Sequence, residues 1–318
     1  MTRIAVFPGQ GAQAVGMGKA LAEAFPAARA VFEAVDEALG ERLSDTIFEG
    51  PLETLTLTEN AQPALMATSV AVFTAVETAV GRAASGYLHY VAGHSLGEYS
   101  ALAAAGALTV HDAARLLRLR GQAMQAAVPA GEGARAAVLG LDAEAVEEVA
   151  AAAAEEGGIC ELANDNGEGQ AVLSGSREAV ERAMGLAKAR GAKRCVPLQV
   201  SAPFHCALMG PAAERLGTAL SEVELRRPAM PVIANVTAEP VQDPETIREL
   251  LRRQVTARVR WRESMATMRR LGVERLVEFG PGGVLTGLAR RGLKEAELTT
   301  VHEPSDVGAF VAELVAEA

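Results

Sequence analysis

With 318 residues, 49% of them hydrophobic, the chain is long enough for one large domain or two and too apolar to remain disordered. Its formal charge of −10 argues against a nucleic-acid partner, and the lack of roughly 18 consecutive uncharged apolar residues argues against a membrane span. Cys160, Cys195 and Cys206 are too few and scattered for a disulfide framework, and the five histidines lack His-x-x-x-His spacing, so the composition predicts a soluble, cytoplasmic protein with reduced thiols and no metal site.

Along the chain, an apolar run ending at Phe7 reads as a first strand, closed by Pro8 and Gly9. The turn Gly9-Gln10-Gly11-Ala12-Gln13 leads into an amphipathic helix over 18–39; Gly16 falls too far on for a dinucleotide fingerprint. A second long helix over 62–80 precedes the short apolar run Tyr90-Val91-Ala92, the segment Gly93-His94-Ser95-Leu96-Gly97-Glu98 and a further helix over 110–127. Alternating helices and short strands indicate an α/β fold.

From 134 to 200 the rhythm changes. A strand over 136–140, a helix over 142–156, strands over 159–163 and 170–174 joined by Asn164-Asp165-Asn166-Gly167, a helix over 176–190 and a strand over 193–196 spell βαββαβ, a ferredoxin-like unit entered through Gly131 and Gly133. The organisation predicted is a large domain of residues 1–130 and 200–318 with a small domain inserted at 131–199. The chain returns with Ser201-Ala202-Pro203-Phe204-His205 and a helix over 207–216, then an extended segment at 231–234 and a helix after Pro244. A strand over 275–279 and the turn Gly280-Pro281-Gly282-Gly283 lead into a final helix.

Gly-x-Ser-x-Gly between strand and helix makes Ser95 a candidate nucleophile: small flanking residues free a strained serine whose hydroxyl projects at a helix N-terminus, where backbone N–H groups hold an oxyanion. The plainer alternative is a serine that only caps the helix. A nucleophilic serine needs a base, and His205, just after the return from the inserted unit, stands out over His89, His111 and His302 near element ends. Cys206 beside His205 is a poor thiol nucleophile, because adjacent residues point in different directions. No acidic third member is evident: Asp142 and Asp165 belong to the inserted unit and Asp112 opens a helix.

Arg120 is the second anomaly. At 100° per residue it lands amid Ala113, Leu116, Leu117, Ala123, Met124 and Ala127 on an inward face. Such a guanidinium needs a buried ion-pair partner, a snorkelling path to water, or the carboxylate of a substrate. A serine esterase would have no use for it there, and a non-catalytic scaffold would have no use for Ser95 with His205.

In their order and spacing, the Gly9 turn, the Ser95 segment, Arg120, Ser201-Ala202-Pro203-Phe204-His205 and Gly280-Pro281-Gly282-Gly283-Val284-Leu285 resemble malonyl-CoA:acyl carrier protein transacylases over essentially the whole chain. The resemblance implies an α/β-hydrolase-like large domain with a parallel-sheet core and a ferredoxin-like insertion. It implies Ser95 as nucleophile, His205 as base oriented by the main-chain carbonyl of Gln254, and the N–H groups of Gln10 and Leu96 as oxyanion hole. It also implies Arg120 as partner of the malonyl carboxylate and Phe204 as a barrier to an α-methyl branch. The expected activity is malonyl transfer from malonyl-CoA to the phosphopantetheine thiol of acyl carrier protein for fatty acid synthesis, by a monomer with no cofactor; a polyketide carrier is the alternative. An acidic carrier needs a basic face, for which Lys188, Arg190, Lys193 and Arg194, or Arg248, Arg252, Arg253, Arg258 and Arg260, are candidates.

Overall fold

A computed structural model describes residues 1–198 and 202–317. The first half runs β1 (Arg3–Phe7), α1 (Lys19–Ala24), α2 (Pro26–Leu39), α3 (Leu43–Glu49), α4 (Leu52–Thr56), α5 (Thr58–Val80), β2 (Tyr90–Gly93), α6 (Gly97–Ala104) and α7 (Val110–Ala126). Next come β3 (Gly133–Leu139), α8 (Ala143–Glu155), β4 (Cys160–Gly167), β5 (Gln170–Ser176), α9 (Arg177–Ala189) and β6 (Arg194–Pro197). The remainder is α10 (Gly210–Glu222), β7 (Val232–Ile233), β8 (Pro240–Val241), α11 (Pro244–Gln254), α12 (Trp261–Arg270), β9 (Arg275–Phe279), α13 (Val284–Gly292), β10 (Glu297–Val301) and α14 (Pro304–Ala316).

The larger sheet has the order β10-β9-β1-β2-β7-β8, parallel throughout except for β8, which pairs antiparallel with β7. All five residues of β1 are buried, as a central parallel strand covered by helices on both faces requires. Its side chains alternate between two cores. Ala5 and Phe7 pack with the α2, α5, α6 and α7 layer, while Ile4 and Val6 pack with Trp261, Met265 and Leu285 of the α12 and α13 layer. The smaller sheet, β4-β5-β3-β6, is antiparallel, and one face carries α8 and α9 over Ala136, Val138, Leu162 and Leu173. This is the predicted mixed α/β fold with its ferredoxin-like unit. The proposed boundary at 199–200, and Ser201 with it, lie outside the described residues.

Four local expectations need correction. The helix over 18–39 is two helices, because Phe25 is extended and Pro26, with fixed φ and no N–H, begins a new one. The long helix starts earlier, at Thr58. Asn164, Asp165, Asn166 and Gly167 are not the hairpin turn but the end of β4, whose pairing with β5 slips at two irregular steps. The helix after Gly283 is not the last, since β10 and α14 follow. Among the described residues, α5 is the one helix long and apolar enough by composition to cross a membrane, and most of it is buried in the core.

Candidate active site

Ser95 sits where β2 passes into α6 with φ 52°, a left-handed conformation that costs a non-glycine residue on the order of 1 kcal/mol. Its flanking glycines are required by space. A Cβ on Gly93 would lie 1.9 Å from the Gly97 carbonyl oxygen, and one on Gly97 would lie 2.2 Å from that of Phe7. The turn is pinned from outside the motif. Asn235, just beyond β7, accepts from the Ser95 N–H at 2.7 Å and donates to the Gly93 carbonyl at 2.7 Å, and Gln254 Nε2 donates to the Ser95 carbonyl at 3.0 Å.

His205 approaches from the other side of the cleft. Its Nε2 is 2.8 Å from Ser95 Oγ and its Nδ1 is 2.9 Å from the main-chain oxygen of Gln254. A carbonyl only accepts, so Nδ1 carries the proton and Nε2 is free to accept from the serine hydroxyl. His205 is buried, and it too has a left-handed backbone, φ 61°. Burial, then the nearby guanidinium groups of Arg120 and Arg135, hold its pKa well below the ordinary imidazole value. A neutral base results, oriented by a neutral carbonyl.

Arg120 is 2% exposed and, among the described residues, has no carboxylate within ion-pair distance. Its Nη1 donates to Gln62 Oε1 at 2.7 Å; its Nη2 donates to Ser95 Oγ at 3.0 Å and to Gln254 Oε1 at 3.1 Å. Its Nε is buried with no acceptor among the described residues. The internal ion pair considered for it is therefore not formed, and the guanidinium points at the candidate nucleophile. Gln254 thus meets all three groups: its carbonyl holds His205, its side-chain oxygen holds Arg120 and its amide nitrogen holds the Ser95 turn.

Gln10, Leu96 and Phe204 line the same cleft, about 200 Å³ in volume, as Ser95, Arg120 and His205. The N–H groups of Gln10 and Leu96 have no acceptor among the described residues, as donors awaiting a ligand oxygen require. The Gln10 side chain donates to Thr58 Oγ1 at 3.2 Å. The acids of the inserted unit do not reach His205: Asp142 caps α8 and Asp165 pairs with Arg262. Cys206 donates to the Pro203 carbonyl, and burial pushes its thiol up to about 11, leaving it un-ionised. Among the described residues no group of three or more His, Cys, Asp or Glu is placed to hold a metal.

Sequence reasoning missed several residues here. Glu98 is fully buried, accepts from the Asn235 N–H at 3.0 Å and Gln254 Nε2 at 2.8 Å, and is pushed up to about 7 chiefly by burial. His94, held down at about 4 by burial, meets Asn166 of β4 at 2.8 Å. Asn164 accepts from Arg135, which stacks on Phe204. The available signal was position: Asn235 follows a strand beside β2, at the carboxyl edge where parallel sheets place their sites.

The acyl transferase domain family model matches residues 4–311. The malonyl CoA-acyl carrier protein transacylase of Bacillus subtilis (strain 168) is 48% identical over 309 residues, 96% of each chain, and that of Escherichia coli (strain K12) is 44% identical over 97% of this chain and 99% of its own. Among solved structures, an acyl-carrier-protein S-malonyltransferase from Bartonella henselae aligns with TM-score 0.96 and 55% identity, over 99% of this chain and 100% of that one. A malonyl-transacylase in complex with a type II PKS acyl-carrier protein aligns with TM-score 0.94 and 42% identity, over 98% and 100%. Motif, fold and relatives agree, and the chain belongs to the malonyl-CoA:acyl carrier protein transacylase family.

Proposed function

We propose that this acyltransferase moves malonyl from malonyl-CoA to the phosphopantetheine thiol of acyl carrier protein by a ping-pong route through a malonyl-Ser95 ester. Ser95 Oγ attacks the thioester carbonyl while His205 Nε2 takes its proton, and the oxyanion is held by the N–H groups of Gln10 and Leu96. Collapse breaks the carbon–sulfur bond, and His205 returns the proton to the departing thiolate. The carrier thiol then gives its proton to His205 and attacks the ester, which restores Ser95. Nucleophile, base and anion partner are all side chains of the protein, so the reading takes no cofactor. It places a monomer in the cytoplasm, with fatty acid synthesis as the product's use. A polyketide carrier would be served by identical chemistry, as in the type II PKS complex among the relatives.

The observation that carries this reading is Arg120, a buried guanidinium with no carboxylate within ion-pair distance among the described residues, bonded to the nucleophile's oxygen. A malonyl group on Ser95 supplies the missing anion; an acetyl group leaves it unmet, a difference of roughly 3 kcal/mol or about a hundredfold. For the carrier, the small-domain basic group is the better candidate face. In the later group Arg248, Arg252, Arg258 and Arg260 each pair with a glutamate and only Arg253 does not, whereas in the small-domain group only Arg190 is paired, with Glu148, and Lys188, Lys193 and Arg194 form no ion pair among the described residues. The test is intact mass after incubation with malonyl-CoA or acetyl-CoA. A malonyl adduct on the wild type, none on Ser95→Ala, and loss of the malonyl preference in Arg120→Ala are expected; equal loading of both donors by the wild type, or hydrolysis without an adduct, would sink the reading.

A further inference from the structure

A second guanidinium faces the cleft and the proposed chemistry does not use it. Arg135 comes from the middle of β3, on the face of the small sheet opposite α8 and α9, where Ala136 and Val138 alternate with it into the small core. It lies 5.5 Å over the Phe204 ring, donates through Nη2 to Asn164 Oδ1, and lines the cleft across from Arg120. Like Arg120, it has no carboxylate within ion-pair distance among the described residues, and its Nε is buried without an acceptor. Burial lowers its pKa to about 10, which still leaves it charged at neutral pH. Arg135 is half-buried, and a cation drawn partly out of water with no anion and an unmet Nε gains from a ligand that completes its shell.

We propose that Arg135 is a substrate-binding residue that donates to the oxygen acceptors of the pantetheine arm, common to malonyl-CoA and the loaded carrier, rather than to the acyl group. The inference rests on the transacylase reading above and deepens it. The acyl group on Ser95 lies against Arg120, which touches the nucleophile's oxygen on the α7 side. Arg135 touches Phe204 and Asn164 instead, so it stands on the small-domain side of the same cleft, where the sulfur-bearing arm can meet it while the acyl group stays on Arg120. That arm has amide carbonyls and no carboxylate, and a guanidinium anchored by stacking and one hydrogen bond offers it a fixed donor.

The test is steady-state kinetics of Arg135→Met and Arg135→Lys with malonyl-CoA and carrier protein each varied, alongside thermal unfolding and malonyl-to-acetyl loading ratios. Uniform binding is what the arm contact supplies, so Arg135→Met should raise KM for both substrates about tenfold while kcat falls less than threefold and the malonyl preference stays. Arg135→Lys should recover part of the loss. Unchanged KM with lowered kcat or melting temperature would overturn the proposal in favour of a brace under Phe204, and a lost malonyl preference would overturn it by assigning Arg135 to the acyl carboxylate. A wild type that forms no malonyl adduct would instead bring down the reading beneath it, so the two failures are distinguishable.

Discussion

Both members of the Ser95–His205 pair occupy left-handed backbone, although neither is glycine. Each is held by bonds to elements distant in sequence, Asn235 for the serine and Gln254 for the histidine. The histidine's electrostatics make a prediction about pH. A base acts only when neutral, and burial with two guanidinium neighbours lowers its pKa below 6.5, which extends the neutral range toward acid. The rate of malonyl-Ser95 formation, followed by rapid quench, should stay level as pH falls from 8 through 6.5 and decline only well below; a midpoint at or above 6.5 would contradict this. At this scale the sequence was informative where a residue broke a pattern. Ser95 broke it by its glycines and Arg120 by its charge on an apolar face, whereas the orienting carbonyl of Gln254 came only with the family resemblance. Asn235 and Glu98 broke no pattern, since a single Asn after a short strand and a Glu in a first turn are ordinary in sequence and become special only through partners brought together by folding.

At the scale of elements, the β2–α6 turn depends on two backbones approaching where no side chain fits. Gly93→Ala should cost about 3 kcal/mol or more, read as a lowered midpoint in urea unfolding, because its Cβ would meet the Gly97 carbonyl. Gly185→Ala, inside α9 where a Cβ meets nothing, should instead stabilise by up to about 1 kcal/mol. If Gly93→Ala were as stable as the wild type, the close approach would be wrong. Elements with a strong apolar signal, periodic in α7 and continuous in α5 and β1, were legible. Phe25 hid the break between α1 and α2, because an aromatic residue reads as helix interior. Half-exposed β10, with Thr299 and Thr300, carried too little apolar signal to be seen beside the glycine-rich turn. Asn164 through Gly167 read as a turn because their composition is that of turns. They remain strand because each side chain has a partner beyond β5: Arg135, Arg262 and His94 for Asn164, Asp165 and Asn166.

Two of those partnerships, Asp165 with Arg262 and Asn166 with His94, clasp the two lobes of the molecule together. Backbone bonds add to them, Asp165 N–H to the Val259 carbonyl at 3.0 Å and Val259 N–H to the Ala163 carbonyl at 2.9 Å, so β4 is tied to the segment before α12. Asp165 is almost fully enclosed, and burial pushes its pKa up even with Arg262 at 2.9 Å. Arg262→Ala strips the carboxylate of that partner. The cost should be on the order of 2 kcal/mol at pH 8 and shrink toward pH 4, since a carboxyl whose folded pKa exceeds its unfolded one loses stability as pH rises. Equal melting-point losses at both pH values would show that the pair does not hold the lobes. The larger lobe is organised around α5, whose apolar surface is covered by α2, α6, α7 and α14. Its last covering helix begins at Pro304, while α5 itself ends at Val80. At a synthesis rate of about 5–20 residues per second, an oily rod emerges from the ribosome roughly 10 to 45 s before its final cover is made. The face of α5 that α14 finally covers is thus, during each round of translation, open to capture by chaperones or by neighbouring nascent chains.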